Sequence, residues 1–148
     1  MSSATAHVDG GARGNPGPAG YGVRITRDDG SIVDLKESIG IATNNVAEYN
    51  GLLAALQWAV DEGVTSLSVK ADSELMVKQM LGGYRVKSPG LQPLYDEARR
   101  LATRIGRVKF EHVRREQNED ADRLANEAMD EAAATPDSGG TSTKPLRP

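Results

Sequence analysis

Residues 44 to 62 form the longest amphipathic segment of the sequence, and this segment sets the strongest limit on the fold. At about 100° per residue, its apolar side chains fill one arc of roughly 120° on a helical wheel. Gly63 follows at the position where a residue in the left-handed conformation commonly ends a helix. The segment is therefore predicted to be a helix that packs one face against a second layer of structure.

Segments with strand character lie on both sides of this helix. Three precede it and are separated by turn-forming residues, which predicts an antiparallel meander. Two more alternate in polarity further along the chain. The predicted strands are residues 4–9, 20–26, 32–40, 66–72 and 107–114. Strands mixed with helices in this order predict a mixed sheet with helices packed on it.

The remaining periodic segments predict helices at residues 73–81, 91–105 and 118–131, the last of them capped by Asn118. A chain of 148 residues suits one domain, which we place at residues 1–131. Residues 132–148 are rich in Ser, Thr, Pro and Gly and offer little to bury. We therefore expect a disordered C-terminal tail there.

The composition excludes several classes of protein. The sequence has no cysteine, so it can form no disulfide, thiolate nucleophile or zinc–cysteine site. No segment approaches the roughly 20 apolar residues of a membrane span, and the N-terminus lacks a basic region followed by an apolar run. We expect a soluble, cytoplasmic monomer.

Positive charge is concentrated in one part of an acidic chain. The net charge is −3, yet the segment from Lys78 to Arg115 holds ten basic and three acidic residues and carries +7. This segment could be a solvated helix face or a phosphate-binding surface. Charge alone leaves both interpretations open.

Glu48 lies just outside the apolar arc of the first helix, about 20° beyond Ala59. Desolvating a carboxylate at such a border costs several kcal/mol unless another group compensates it. One interpretation is a first-turn residue favoured by the helix dipole, with Asn44 as the N-cap. The other is a functional carboxylate that faces further polar groups.

Three more carboxylates are predicted to lie near Glu48. Asp9 and Asp72 end the first and fourth predicted strands, and they would be neighbours if those strands are parallel. Asp122 lies at the edge of the apolar stripe of the last helix, whereas Asp120 points elsewhere. Such a group of carboxylates would repel strongly without divalent cations. Oxygen ligands without cysteine or histidine favour magnesium or manganese, and two such ions can promote phosphodiester hydrolysis.

Four segments in this order resemble the type 1 ribonuclease H family. They are VDGGARGNPGPAG, TNNVAEYNGL, KADSELMVKQM and REQNEDADRLANEAM, and the resemblance runs from about residue 4 to residue 130. It implies a ribonuclease H-like α/β fold, with a five-stranded mixed sheet in the order 3-2-1-4-5, the first three strands antiparallel and helices on both faces. It also implies cleavage of the RNA strand of RNA/DNA hybrids by an endonuclease that leaves 5′-phosphate and 3′-hydroxyl ends.

The resemblance assigns roles to individual residues. It implies that the metal-binding and catalytic carboxylates, which hold two Mg²⁺ or Mn²⁺ ions with substrate, are Asp9, Glu48, Asp72 and Asp122. It further implies that the hybrid is contacted by Gly10, Gly11, Ala12, Asn15, Thr43, Asn44 and Asn45. The backbone at residues 10–12 would meet ribose hydroxyls, which distinguish RNA from DNA. For Asn44, a simple N-cap stays an alternative.

The sequence also departs from the pattern of many family members. The segment GGYRVKSPG is short where they carry a basic helix and loop, and RREQN stands where they carry a loop histidine. The chain thus resembles a subgroup without these features, in which Arg115 or Glu116 would have an auxiliary role, and we favour Arg115. His7 and His112 lie in strands and are interpreted as structural. Double-stranded RNA is a second candidate duplex.

Overall fold

The computed structural model describes residues 2–134, which form one five-stranded sheet in the order β3-β2-β1-β4-β5. The strands are β1 (Ser3–Ala12), β2 (Gly17–Arg27), β3 (Ile32–Ala42), β4 (Ser66–Ala71) and β5 (Arg107–His112). The helices are α1 (Asn44–Asp61), α2 (Glu74–Met80), α3 (Gln92–Ile105) and α4 (Glu119–Ala134). This order confirms the predicted strand arrangement.

The pairing of β1 determines where two of the predicted site residues emerge. β1 is antiparallel to β2 and parallel to β4, and β2 and β3 complete the antiparallel meander. In the parallel pair, Val8 is opposite Ala71. Asp9 and Asp72 each follow one of these paired residues. The two carboxylates therefore leave neighbouring strands at the same edge of the sheet, as predicted.

The sheet carries helices on both faces. On one face, the core joins side chains of α1 to those of the central strands, and Leu52 and Leu56 of α1 are fully buried there. Full burial of such a side chain contributes about 1.5–3 kcal/mol. On the other face, α4 lies on β2 so closely that a Cβ at Gly22 would stand 2.5 Å from the backbone nitrogen of Ala125. Asp9 is paired with Gly22, so its side chain is directed to the α4 face.

β1 and β2 are longer than predicted. We expected β1 to end at Asp9 because glycine and proline follow, but its ladder with β2 continues to the pair Ala12 and Ala19. A backbone hydrogen bond of 2.8 Å from Arg13 to Pro18 then closes the turn. The glycines of these strands leave room for the helices, which is why they do not interrupt the sheet.

Two helix caps differ from the predictions. Thr43, not Asn44, is the N-cap of α1, because its side chain accepts a hydrogen bond of 3.2 Å from the nitrogen of Val46. The side chain of Asn118 does not cap α4. It donates instead to the carbonyl of Val8 in β1, 3.0 Å away. Both differences arise from contacts with distant segments that a local pattern does not contain.

Helix α4 continues to Ala134, three residues beyond the predicted end at residue 131. Residues 132–134 are alanines, which favour helix more than any other residue. The rest of the predicted tail, residues 135–148, lies outside the described residues. Within residues 2–134, no helix is long and apolar enough to cross a bilayer.

Candidate active site

A cleft of about 730 Å³ opens at the edge of the sheet where β1 and β4 end. The four carboxylates predicted from the sequence all line it: Asp9, Glu48, Asp72 and Asp122. They come from a strand, from positions near the N-termini of two helices on opposite faces of the sheet, and from the residue after a second strand. The fold thus brings together acids that are up to 113 positions apart in the sequence.

Asp9 is the most perturbed of these acids. Burial raises the pKa of its carboxyl to about 8, and the nearby Asp72 and a hydrogen bond with Asp122 add to the rise. The backbone nitrogen of Gly10 donates to Asp9 Oδ1 at 2.9 Å and opposes the rise only in part. Asp9 therefore lies close to other carboxylates, and their negative charge disfavours the ionised form of its own carboxyl.

Glu48 reaches the cleft because α1 begins directly against β1. A Cβ at Gly10 would lie 2.5 Å from the carbonyl carbon and oxygen of Ala47 and 2.7 Å from the backbone nitrogen of Glu48, so only glycine permits this approach. Burial raises the pKa of Glu48 to about 7, a hydrogen bond with Ser73 opposes the rise, and Asp72 adds to it. Glu48 lies at the edge of the apolar face of its helix, and in the structure this edge lines the cleft.

Asn118 connects three parts of the site. Its side chain is 1% exposed and holds the carbonyl of Val8, the residue before Asp9. Its backbone nitrogen donates to the carbonyl of Arg115, and its own carbonyl accepts from the nitrogen of Asp122. Among the described residues, its Oδ1 atom is buried without a hydrogen-bond partner. This residue therefore ties the start of α4 and the preceding loop to β1.

The donor set fits a hard divalent cation in its chemistry, because carboxylate oxygens are the ligands that magnesium and manganese prefer. Such an ion would also relieve the crowding that disfavours the charge of Asp9. Within residues 2–134, no three Asp, Glu, His or Cys side chains are already placed as a closed ligand set. The acids thus line a common cleft without a preformed metal cage.

The predicted substrate-contact residues divide into two groups. Gly10, Gly11, Ala12, Asn44 and Asn45 line the cleft. The Oδ1 atom of Asn44 accepts a hydrogen bond of 2.8 Å from the nitrogen of Ala12, and thereby connects α1 to the end of β1.

Thr43 and Asn15 are not among the lining residues of the cleft, and both support α1. Thr43 caps the helix, whereas Asn15 Oδ1 accepts a hydrogen bond of 3.0 Å from the nitrogen of Asn44. Their observed contacts are therefore with the protein itself.

The arginines of the basic segment fall into two groups, one with contacts inside the protein and one that lines the cleft. On α3, Arg99 donates to the carbonyl of Met80, and Arg100 pairs with Glu97, so these arginines serve local structure. Arg114 and Arg115, at its C-terminal end, line the cleft. Within residues 2–134, the side chain of Arg115 has no hydrogen bond or ion pair, so its guanidinium is available to a ligand.

Sequence reasoning missed several residues of the cleft. They include Arg13, Glu74, His112, Asn126 and Met129. His112 was predicted to be structural, but it is exposed at the end of β5 and faces the cleft. The signal for Arg13 was present, since it is the one charged residue of the loop sequence GGARGNPG that follows Asp9.

Comparisons with known proteins agree with this fold. A family model described as reverse transcriptase-like matches residues 7–128. A bifunctional protein of Mycobacterium tuberculosis is 54% identical over 128 residues, which are 85% of this chain and 35% of that protein. The solved N-terminal RNase H domain of a Mycobacterium tuberculosis protein has 50% identity and a TM-score of 0.87, and the match covers 90% of this chain and 97% of that one.

Two further solved structures are similar over nearly their whole length. RNase H1 of Halobacterium salinarum has 44% identity and a TM-score of 0.83, with 88% of this chain and 99% of that one covered. LC11-RNase H1, solved in complex with an RNA/DNA hybrid, has 42% identity and a TM-score of 0.83, with 88% and 99% covered. The chain spans about a third of the length of the mycobacterial relatives it matches.

The sheet order and the matched family model place the chain in the reverse transcriptase-like class of domains. Within that class, the chain belongs to the type 1 ribonuclease H family.

Proposed function

We propose that this chain hydrolyses the RNA strand of RNA/DNA hybrids as an endonuclease and leaves 5′-phosphate and 3′-hydroxyl ends. The observation that carries the proposal is the convergence of Asp9, Glu48, Asp72 and Asp122 on one cleft. The relative solved with an RNA/DNA hybrid supports the choice of substrate. The absence of cysteine supports an intracellular place of action.

The proposed cofactor is Mg²⁺ or Mn²⁺, with two ions held by the four carboxylates when substrate is present. Bound there, the ions would activate a water molecule and stabilise the leaving oxygen. The pKa of about 8 for Asp9 supports this assignment, because a nearby cation would restore the charged carboxylate. The role of the four carboxylates would be to hold these ions at the cleft.

Recognition of the RNA strand is proposed to involve the free edge of β1. The nitrogens of Gly10 and Ala12 donate to the side chains of Asp9 and Asn44, not to carbonyls of β2, so these N–H groups point away from β2. In a strand, the carbonyl of a residue points to the same side as its N–H group. We therefore assign the carbonyls of Gly10 and Ala12 as acceptors for ribose 2′-hydroxyls, which DNA lacks.

The unpaired guanidinium of Arg115 is proposed to approach a backbone phosphate near the carboxylates. Its place in the loop before α4 and its lack of a partner within residues 2–134 support this auxiliary role. A guanidinium presents several N–H groups in a plane, which suits phosphate oxygens. Arg115 would thereby orient the strand rather than transfer a proton.

An assay with matched duplexes tests the proposed function. Purified protein is incubated with end-labelled RNA/DNA, RNA/RNA and DNA/DNA duplexes, each with Mg²⁺ and with Mn²⁺, and the product ends are identified. Cleavage within the RNA of the hybrid and an intact DNA duplex are expected. Cleavage of RNA/RNA would add double-stranded RNA to the substrates. Tight hybrid binding without cleavage in either metal would instead identify a binding module and contradict the proposal.

A further inference from the structure

Arg13 is a charged residue at the rim of the cleft that neither the carboxylate site nor the predicted substrate contacts include. It follows the last residue of β1, and its side chain is 44% exposed. Its Nη2 atom donates to Asp130 Oδ1 at 2.7 Å, to Asn126 Oδ1 at 3.1 Å and to the Asn126 carbonyl at 3.3 Å. These contacts hold the guanidinium against α4 at a fixed place beside the cleft.

The contacts use only one of the three guanidinium nitrogens. Within residues 2–134, Nε and Nη1 of Arg13 have no hydrogen-bond partner, which leaves three N–H groups available. The Asp130 side chain is 71% exposed, and an ion pair in such a place contributes little to stability. The contacts of Nη2 therefore restrain the Arg13 side chain, while its other N–H groups have no partner within residues 2–134.

The charges around the cleft indicate which kind of ligand these free donors would bind. Besides the four site carboxylates, Glu74 lines the cleft, so a polyanion that enters meets five acidic side chains. The guanidinium groups that line it belong to Arg13, Arg114 and Arg115. A nucleic-acid backbone needs such cations wherever metal ions do not neutralise its phosphates. Of these arginines, Arg13 is the one whose position is fixed by three hydrogen bonds.

The place of Arg13 in the chain indicates which strand it would meet. It is the residue immediately after Ala12, whose carbonyl we assign to a ribose hydroxyl. Ala12 and Arg13 both line the cleft, so a strand held at Ala12 would bring a neighbouring phosphate of the same strand towards Arg13. We propose that Arg13 binds a phosphate of the RNA strand, with Asn126 and Asp130 holding its guanidinium in a binding orientation. This inference rests on the proposed function.

Steady-state cleavage of a labelled RNA/DNA hybrid, measured with the 148-residue chain over a series of salt concentrations, tests the inference. Arg13→Gln should raise KM by about 3- to 10-fold with kcat nearly unchanged, and should lower the slope of log(kcat/KM) against log salt by about 1. Arg13→Lys keeps the charge and should keep the slope. Arg100→Gln, which removes an exposed arginine outside the cleft, is the matched control and should change neither quantity.

Asp130→Asn separates phosphate binding from a purely structural contact. The Asn side chain keeps an oxygen that can accept from the guanidinium and removes only the negative charge, so KM should stay equal or fall if Arg13 binds phosphate. An equal rise of KM in Asp130→Asn and Arg13→Gln would show that only the contact with α4 matters, and would overturn the inference. An unchanged KM and salt slope in Arg13→Gln would also overturn it while the parent still cleaves. Failure of the parent to cleave the hybrid would instead reject the proposed function.

Discussion

Gly10 of β1 and Ala47 of α1 are in such close contact that a Cβ at position 10 would lie 2.5 Å from the Ala47 carbonyl. This contact sets the distance between the strand that carries Asp9 and the helix that carries Glu48. On the opposite face, Gly22 has the same relationship with Ala125 of α4, the helix that carries Asp122. Two glycines thus let two helices bring their carboxylates to one strand.

Gly10→Ala tests this relationship. The added methyl group must push the backbones of β1 and α1 apart, and overpacking of this kind costs about 1–3 kcal/mol. We expect a lower free energy of unfolding in urea and reduced cleavage, because Glu48 moves away from Asp9. Gly83→Ala is the control, since its Cβ would meet its nearest neighbour at an ordinary 3.6 Å. Equal stability of the two variants would contradict the proposed spacing role.

Asp9→Asn should stabilise the metal-free protein, and more so at higher pH. The folded pKa of Asp9 is about 8, whereas an unfolded Asp titrates near 4. The folded state therefore binds more protons between these values, so this group lowers stability as pH rises from about 4 to 8. Urea unfolding with a chelator should show a gain of about 1–3 kcal/mol for the variant at pH 8, and a smaller gain at pH 5. A gain that shrinks as pH rises would contradict the shift.

Divalent cations should stabilise the parent protein and have little effect on Asp9→Asn. A cation that binds only the folded state raises the melting temperature as its concentration exceeds its dissociation constant. Its binding requires the charged carboxylate, which the variant lacks. Thermal unfolding is compared with chelator, Mg²⁺ and Mn²⁺ at pH 8, with Ca²⁺ to test ion size. Equal stabilisation of both proteins would show that the ion does not bind at Asp9, and would contradict the proposed metal site.

Asn118→Ala should weaken the site as well as the fold. Loss of the hydrogen bond to the buried Val8 carbonyl costs about 1–3 kcal/mol. The backbone of Asn118 also bonds to Arg115 and Asp122. Loss of its side-chain bond to β1 should therefore loosen the start of α4, and we expect the Mg²⁺ concentration for half-maximal cleavage to rise several-fold. Asn50→Ala is the control, because Asn50 donates within α1 to the carbonyl of Val46. A loss of stability with an unchanged metal requirement would mean that Asn118 has no effect on the site.

Much of the architecture could be predicted because local patterns and family motifs agreed. The amphipathic period of α1, the alternation of β4 and the acid that follows β4 were all visible in single segments. The strand order came from the four-motif resemblance, and the topology confirms that order. The convergence of the acids was expected from their places beside predicted strands and at helix borders, and the resemblance added their metal-binding role.

The features that escaped prediction depend on contacts between distant segments. β1 continues past Asp9 because β2 pairs with it as far as Ala12 and Ala19. Asn118 bonds to Val8, which is 110 residues away, instead of capping its own helix. Arg13 is held by α4, and His112 faces the cleft because β5 ends at its edge. Local periodicity carries no information about such partners.

The most direct test of the central claim compares two neighbouring acids on α4. Asp122 lines the cleft, whereas Asp120 is outside it and pairs with Arg24 at 3.1 Å. Cleavage of an RNA/DNA hybrid with Mg²⁺ is measured for Asp122→Asn and Asp120→Asn, with folding of each variant checked by urea unfolding. The four-carboxylate site predicts that Asp122→Asn loses at least about 100-fold in kcat, as expected for loss of a group that acts on the transition state, while Asp120→Asn stays within about 3-fold of the parent. Cleavage by Asp122→Asn at the parent rate would contradict the account.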